Sequence, residues 1–240
     1  MLHTGIENYT KMSQETITVD IVSDVACPWC YVGKRRFEAA LKQWDGPEIK
    51  VEWHPYQLDP NMVAEGLDRD TYLVNKFGSI ERTQDMTNHL TNVGKEVGIA
   101  FDFGPNWMAV NTLQLHQLLF IAGKEGFKDA LKERFLKAYF EETKHLNKVD
   151  ILHEIMAEFG WSSEKVDEVI TDDTIAYEVK SEIAHYQQMG VSGVPYFIIN
   201  NKYGISGAQP SEVFLEALTS VSEEIKVQAG ERCDTATGEC

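Results

Sequence analysis

Long apolar runs and basic residues are both scarce in this 240-residue chain. Lys and Arg number 22 against 38 Asp and Glu, which gives a formal net charge of −16. Because phosphate contacts depend on Lys and Arg, this charge argues against non-specific binding to nucleic acid or to anionic membranes. No apolar run approaches the roughly 20 residues that span a bilayer. Residues 1–15 are polar and lack the apolar segment of a signal peptide, so we expect a flexible leader and a cytoplasmic protein.

Cysteine is equally scarce, and its four copies form two pairs, Cys27 with Cys30 and Cys233 with Cys240. In the cytoplasm, closely spaced cysteines are more often catalytic or metal-binding than structural. Six residues separate Cys233 from Cys240, a wide spacing for a zinc site, and the first pair lies at the start of a predicted helix. We therefore favour redox chemistry over a four-cysteine zinc site and expect no bound metal.

The first cysteine pair lies where a strand-like run, 17–22, ends and a helix-like run, 32–44, begins. A helix N-terminus has unpaired backbone N–H groups and the positive end of the helix dipole, so it stabilises an anion. We predict that this position lowers the pKa of Cys27 below the free value of about 8.5. Cys27 is then the attacking thiolate, and Cys30, one turn later, is the resolving thiol.

The residues around the pair suit this chemistry. Pro28 fits the first helical position, where no backbone N–H is needed. Trp29, between the cysteines, is predicted to shape the local electrostatics and cover the disulfide; the alternative is an exposed aromatic that contacts substrate. Asp24 lies three residues before Cys27 and has two interpretations. Its carboxylate helps to move the proton of the resolving thiol, or it is a turn residue bonded to local backbone.

Strand signals are confined to the two ends of the chain. Residues 16–62 have the pattern strand, helix, strand, with predicted strands at 17–23 and 49–58. Residues 190–229 have the pattern strand, strand, helix; Asn201-Lys202 is the predicted tight turn between the two strands, and Asn200-Asn201 tolerates positive φ. The stretch between these ends, 63–189, has helical periodicity and almost no strand signal; its predicted helices are 69–76, 79–97, 110–123, 127–142, 148–159, 162–170 and 174–189. The sequence thus predicts an α/β core interrupted by a large all-α insertion.

Three stretches of the chain together resemble one family. They are residues 23–34 (SDVACPWCYVGK), Asn111-Thr112-Leu113 at the start of a central helix, and residues 190–197 (GVSGVPYF). They closely resemble the DsbA-like thioredoxin-fold proteins, and more narrowly the cytoplasmic FrnE-type branch, over roughly 17–229. The resemblance implies a thioredoxin fold with a central mixed sheet and a helical insertion.

The resemblance also implies a function. A member of this family is a thiol-disulfide oxidoreductase that exchanges disulfides with protein, peptide or small thiol substrates, with glutathione as a candidate co-substrate and no other cofactor. In the family a Val–Pro peptide bond is cis, and the loop that contains it lies against the active-site disulfide. The resemblance implies that Pro195 is this cis proline and Val194 the residue before it. The Val194 backbone then faces Cys27 and pairs with a substrate strand. We expect a monomer or homodimer; the direction of the reaction and the substrate do not follow from the sequence.

The second cysteine pair lies in a polar tail, residues 230–240, which we expect to be flexible. Its Thr, Gly and Asp residues allow a loop to close, so Cys233 and Cys240 can form a disulfide. FrnE-type proteins can carry extra C-terminal cysteines. One hypothesis is a second redox pair that exchanges with Cys27 and Cys30, and the alternative is idle thiols in a disordered terminus.

Two other functions stay open. One is a glutathione-dependent isomerase or transferase of the same fold, but relatives of that kind usually have serine at the position of Cys27. The other is a chaperone-like module that binds peptides in a groove between the insertion and the thioredoxin core.

Overall fold

A computed structural model describes residues 16–231 of the chain. The described strands are β1 (Ile17–Ser23), β2 (Ile49–Pro55), β3 (Leu67–Asp68), β4 (Met108–Ala109), β5 (Tyr196–Ile199) and β6 (Tyr203–Ser206). The described helices are α1 (Pro28–Leu41), α2 (Arg69–Phe77), α3 (Ile80–Glu96), α4 (Leu113–Lys124), α5 (Lys128–Phe140), α6 (Val149–Ala157), α7 (Ser163–Thr171), α8 (Asp173–Gln188) and α9 (Ser211–Glu231). None of the helices in this part of the chain has both the length and the apolar character that crossing a membrane requires.

The main sheet has four strands in the order β2-β1-β5-β6. β1 pairs parallel with β2, placing Ile17 opposite Ile49, and antiparallel with β5, placing Ile21 opposite Phe197. Ile21 and Val22, neighbours whose side chains lie on opposite faces of β1, are both fully buried, as expected for a central strand covered on both faces. The predicted mixed sheet is therefore confirmed.

The second strand, predicted over 49–58, ends earlier, at Pro55. The N–H of Leu58 donates to the Asp24 carboxylate at 2.8 Å, so the chain turns away from the sheet towards the end of β1. At the other edge, Asn200 and Asn201 both have positive φ, 50° and 53°, as predicted for the turn between β5 and β6.

All seven predicted helices of the middle stretch are present, with ends displaced by a few residues. The prediction of almost no strand in this stretch is wrong at one place. β3 and β4 form a separate two-stranded antiparallel sheet, in which Leu67 pairs with Ala109. A strand of two residues is too short for its side chains to show a detectable alternation, so the sequence pattern missed it.

Helix α1 lies between two apolar clusters. Tyr31 and Val32 on one side belong to the same buried cluster as Leu115 of α4 and Phe135 of α5. Phe37 belongs to the second cluster with the sheet and α9. The middle stretch, residues 63–189, is called the helical segment below. It shares its core with α1, and packing on both sides holds α1 in place.

The second cluster contains an aromatic trio whose loss is testable. Phe37, Phe197 and Phe214 have ring centroids 4.6–5.5 Å apart, and Phe214 is fully buried. We expect Phe214→Ala to lower the free energy of unfolding in urea by about 3–5 kcal/mol, since it leaves a cavity between α9 and the sheet. The control Tyr177→Ala removes a ring that is 69% exposed, and its change should stay within about 0.5 kcal/mol. Equal small losses in both variants would contradict this packing.

Candidate active site

The CPWC motif lies at the junction of β1 and α1, as predicted. Cys27 is the N-cap of α1 with an extended backbone, φ −98° and ψ 110°, and Pro28 begins the helix. The N–H of Cys30 donates to the carbonyl of Cys27 at 3.0 Å, which places both thiols within one helical turn. Both cysteines are free thiols, and their exposed fractions are only 3% and 1%.

A second segment, distant in sequence, reaches the first thiol. The Val194–Pro195 peptide bond is cis, as the resemblance implies. Cys27 Sγ donates to the carbonyl oxygen of Val194 at 3.5 Å. On the helix side, a Cβ at Gly33 would lie 2.9 Å from Cγ of Pro195, so glycine is what allows α1 to approach this loop closely.

The acidity of the two thiols differs from our expectation. The hydrogen bond with Cys30, together with burial, raises the pKa of the Cys27 thiol well above its usual value. Burial also opposes ionisation of Cys30, yet the hydrogen bond from Cys27 and the charge of Lys132 bring the pKa of Cys30 below its usual value. At Cys27 this upward direction is opposite to the predicted lowering of the pKa.

Asp24 has the backbone contacts of the predicted turn residue, and its role in moving the proton of the resolving thiol stays a prediction. Its carboxylate is 1% exposed and accepts from the N–H of Ala26 at 3.3 Å and of Leu58 at 2.8 Å, as a turn residue would. It also lies 3.2 Å from Nε2 of His116. Burial opposes the charge, but the bond with His116 and the Leu58 N–H lower the pKa of Asp24, which favours the carboxylate anion.

Two charged or titratable side chains of this site come from the helical segment, and sequence reasoning missed both. His116 on α4 is 3% exposed, and Lys132 on α5 is 2% exposed. Burial lowers the pKa of Lys132, while the negative charges of Cys30 and Asp24 oppose that shift. The available signal was the helical spacing of Lys132 with the apolar Phe135, which places the lysine on the buried face of α5.

The remaining predicted residues fall in different places. Trp29 is half-buried, and its ring centroid lies 5.9 Å from that of His89 on α3, so it packs towards the helical segment. Cys233 and Cys240 lie outside the described residues, and their predicted redox role stays a prediction. Within residues 16–231, no group of three or more Cys, His, Asp or Glu side chains has the arrangement of a metal site.

Residues 18–219 match the family described as DSBA-like thioredoxin domain. The chain therefore belongs to the DsbA-like thioredoxin domain family, and the resemblance noted from the motifs is confirmed at that level. The fold and the placement of the CPWC motif agree with this assignment.

Three known proteins illustrate the similarity. A crystal structure of a probable DsbA oxidoreductase from Streptomyces coelicolor is 36% identical, covers 85% of this chain and 89% of its own, and superposes with a TM-score of 0.79. The uncharacterised protein YwbO of Bacillus subtilis is 25% identical over 213 residues, which is 85% of this chain and 96% of YwbO. The cytosolic disulfide reductase DsbM from Pseudomonas aeruginosa, crystallised with GSH, shares the fold at 15% identity, with a TM-score of 0.57 over 88% of this chain and 98% of its own.

The charge state of Asp24 leads to a prediction about stability. Because the pKa of Asp24 is lowered in the folded protein, its contribution is present above the unfolded pKa of about 3.9 and disappears as the pH falls through the folded pKa. Asp24→Asn should therefore lower the free energy of unfolding by about 1–3 kcal/mol at neutral pH. Urea titrations at neutral and acidic pH measure how this difference shrinks on acidification.

Asp85→Asn is the matched control for this experiment. Asp85 is an exposed carboxylate on α3, so its substitution should change stability by less than about 0.5 kcal/mol at either pH. A loss for Asp24→Asn that is equally large at both pH values would contradict the assigned charge.

Proposed function

We propose that this protein is a thiol-disulfide oxidoreductase whose redox centre is the Cys27–Cys30 dithiol. The observation that carries the proposal is the meeting of Cys27 Sγ with the Val194 carbonyl, 3.5 Å apart, beside a cis proline. A thiol at a helix start, next to a backbone edge that can pair with an extended chain, has the two elements that disulfide exchange with a peptide requires.

The exchange proceeds in two substitutions at sulfur. The Cys27 thiolate attacks one sulfur of a substrate disulfide, so a Cys27–substrate bond forms and the other substrate sulfur leaves as a thiolate that takes up a proton. The Cys30 thiolate then attacks Cys27 Sγ, forming the Cys27–Cys30 disulfide and releasing the second substrate sulfur. The substrate gains two electrons and the enzyme dithiol loses two. The reverse sequence oxidises a substrate dithiol.

Cys27 must lose its proton before it attacks. Its S–H donates to the Val194 carbonyl, which is also the acceptor that the N–H of a paired substrate strand would use. When a substrate takes this carbonyl, the proton passes to the neighbouring Cys30 sulfur, and Cys27 becomes the thiolate. The free N–H groups at the start of α1 then stabilise that anion.

Several finer features belong to the same proposal. The substrates are protein or peptide disulfides and thiols, and glutathione is a co-substrate; the likeness to DsbM, a protein crystallised with GSH and named cytosolic, supports this choice. We propose a cytoplasmic location, a place in the FrnE-type branch, and no cofactor besides the dithiol. Exchange with Cys233 and Cys240 is tested by replacing both with serine, which should slow reoxidation of Cys27–Cys30.

Substitution of the cysteines tests the proposal and the order of attack. Cys27→Ser should abolish disulfide reduction in an insulin turbidity assay, because no attacking sulfur remains. Cys30→Ala should instead accumulate a Cys27–substrate mixed disulfide, visible by mass spectrometry and on non-reducing gels. Disulfide reduction retained by Cys27→Ser would contradict the role of Cys27 as the attacking sulfur, and a chain that binds peptides equally well with and without this thiol but never reduces insulin would be a peptide-binding module.

Equilibration with glutathione tests the redox role and its direction. The Cys27–Cys30 pair should interconvert between dithiol and disulfide in buffers of defined reduced and oxidised glutathione, followed by alkylation and mass spectrometry. A strongly reducing equilibrium favours a reductase and an oxidising one an oxidase. Failure of the pair to exchange with glutathione at any ratio would contradict the proposal.

A further inference from the structure

We propose that His54 is a positioning residue which, as a cation held between two carboxylates, fixes α8 on the main sheet and thereby keeps the Val194 carbonyl in place beside Cys27. This inference rests on the proposed function, in which that carbonyl pairs with the substrate. His54 acts through α8 and through residues 189–195, called the α8–β5 loop below. It is therefore a positioning residue and not a catalytic one.

Both ring nitrogens of His54 face a carboxylate. Nε2 lies 2.8 Å from Oδ1 of Asp20 on β1, and Nδ1 lies 2.6 Å from Oε1 of Glu182 on α8. An ionised carboxylate only accepts hydrogen bonds, whereas a neutral imidazole has one N–H and one lone pair. Both contacts are therefore hydrogen bonds only when the ring carries two protons, and the ring is then a cation between two anions.

The sheet presents these groups on one face. In the parallel register Val22 of β1 lies opposite His54 of β2, and Asp20 precedes Val22 by two residues. Side chains two residues apart share a face of a strand, so Asp20 and His54 lie on the same side of the sheet. Their side chains are 18% and 16% exposed. Water therefore weakens this ion pair less than it weakens a pair at an open surface.

The end of α8 is attached to the sheet at this histidine. Among residues 16–231, the contact of Glu182 with His54 is the one side-chain hydrogen bond between α8 and the main sheet. Tyr186 lies one turn later on α8 and is buried, and its ring centroid is 4.6 Å from that of His54. A hydrogen bond and an aromatic contact to the same ring thus hold this end of the helix.

The α8–β5 loop begins directly after the attached end of α8. The N–H of Val191 donates to the carbonyl of Tyr186 at 3.0 Å. Tyr186 and Val191 belong to one buried cluster, and Val194 packs against that cluster. A shift of α8 therefore moves the loop whose Val194 carbonyl accepts from Cys27 Sγ at 3.5 Å.

Other titratable groups also surround the ring. They are Glu52 of β2, His116 of α4, Lys128 and Lys132 of α5, and the hydroxyl of Tyr186 on α8. The two lysines and His116 line a cavity of about 20 Å³ beside His54, and their positive charges oppose a second proton on the ring. The groups that touch the ring nitrogens directly are both carboxylates, and attraction is strongest at the shortest distance.

The attachment matters when a substrate strand pairs with the Val194 carbonyl. A carbonyl that is already held in place does not have to be ordered during binding, so the substrate binds more tightly. Loss of the His54 link lets α8 and the α8–β5 loop move, and binding of a peptide substrate weakens. The substitutions at sulfur use Cys27 and Cys30, which the link does not touch. We therefore expect a larger effect on KM than on kcat.

The charge of the ring is tested by NMR of the imidazole nitrogens in the full chain at neutral pH. The two signals of His54 are assigned as those that disappear in His54→Gln. Both should have the shifts of protonated nitrogens, because both face a carboxylate. A spectrum in which one of the two nitrogens carries a lone pair would overturn the inference.

Hydrogen exchange tests the link to the loop in the same protein. Glutamine at position 54 has a single nitrogen donor, and Glu182→Ala removes the acceptor on α8. His54→Gln and Glu182→Ala should each speed exchange of the Val191 N–H about tenfold at neutral pH, as for the loss of one charge-assisted hydrogen bond. The double variant should add little to either single change, since both break the same link.

Kinetics tests the consequence for the substrate. With a peptide disulfide as substrate and dithiothreitol to regenerate the dithiol, His54→Gln should raise KM about fivefold and change kcat by less than about twofold. His54→Lys keeps the positive charge and should restore most of the lost affinity. A KM that neither His54→Gln nor Glu182→Ala alters would overturn the inference.

His153→Gln is the matched control, because His153 also contacts a carboxylate, with Nε2 2.8 Å from Oδ1 of Asp167, but lies on the helical segment at α6. It should leave both Val191 exchange and KM unchanged. Unchanged Val191 exchange in both His54→Gln and Glu182→Ala would overturn the inference, and Glu182→Ala alone decides it if His54→Gln does not fold. If the unsubstituted protein reduces no disulfide, the proposed function fails, and the ring charge and Val191 exchange still decide the role of His54.

Discussion

The buried carboxylate of Asp24 is the contact on which the arrangement of the site depends. It bonds to the N–H of Ala26 in its own loop, to the N–H of Leu58 beyond the second strand, and to His116 on the helical segment. One charged group thus joins the motif, the sheet and the helices. Because hydrogen bonds to a buried charge are stronger than those between neutral groups, this junction is held more firmly than a loop of its length would be by itself.

Helix α1 extends that junction into the two apolar clusters. Tyr31 packs with the helical segment and Phe37 with the sheet, so the helix cannot shift without disturbing both. Gly33 lets the same helix approach Pro195. The position of Cys27 relative to the Val194 carbonyl is therefore the result of packing along the whole of α1.

The helical segment has two connections to the chemistry. Its apolar residues complete the core around α1, its buried His116 bonds to Asp24, and the charge of its buried Lys132 acts on the thiol pair of the thioredoxin core. A thiol pair that shares one proton responds strongly to such charges, because a small change in field decides which sulfur carries the anion. The electrostatic environment of Cys27 and Cys30 is thus set by the two parts together.

The sequence by itself determined the mixed α/β class, the helices of the middle stretch and the strand-to-helix position of Cys27 and Cys30. These features follow from local periodicity, proline at a helix start and cysteine spacing, all of which a short window contains. The tertiary structure alone decided where the second strand ends, that β3 pairs with β4, and which buried groups surround the two thiols. The last of these depends on Lys132 and other groups about a hundred residues from the motif, since burial and electric field are set by what surrounds a residue in space.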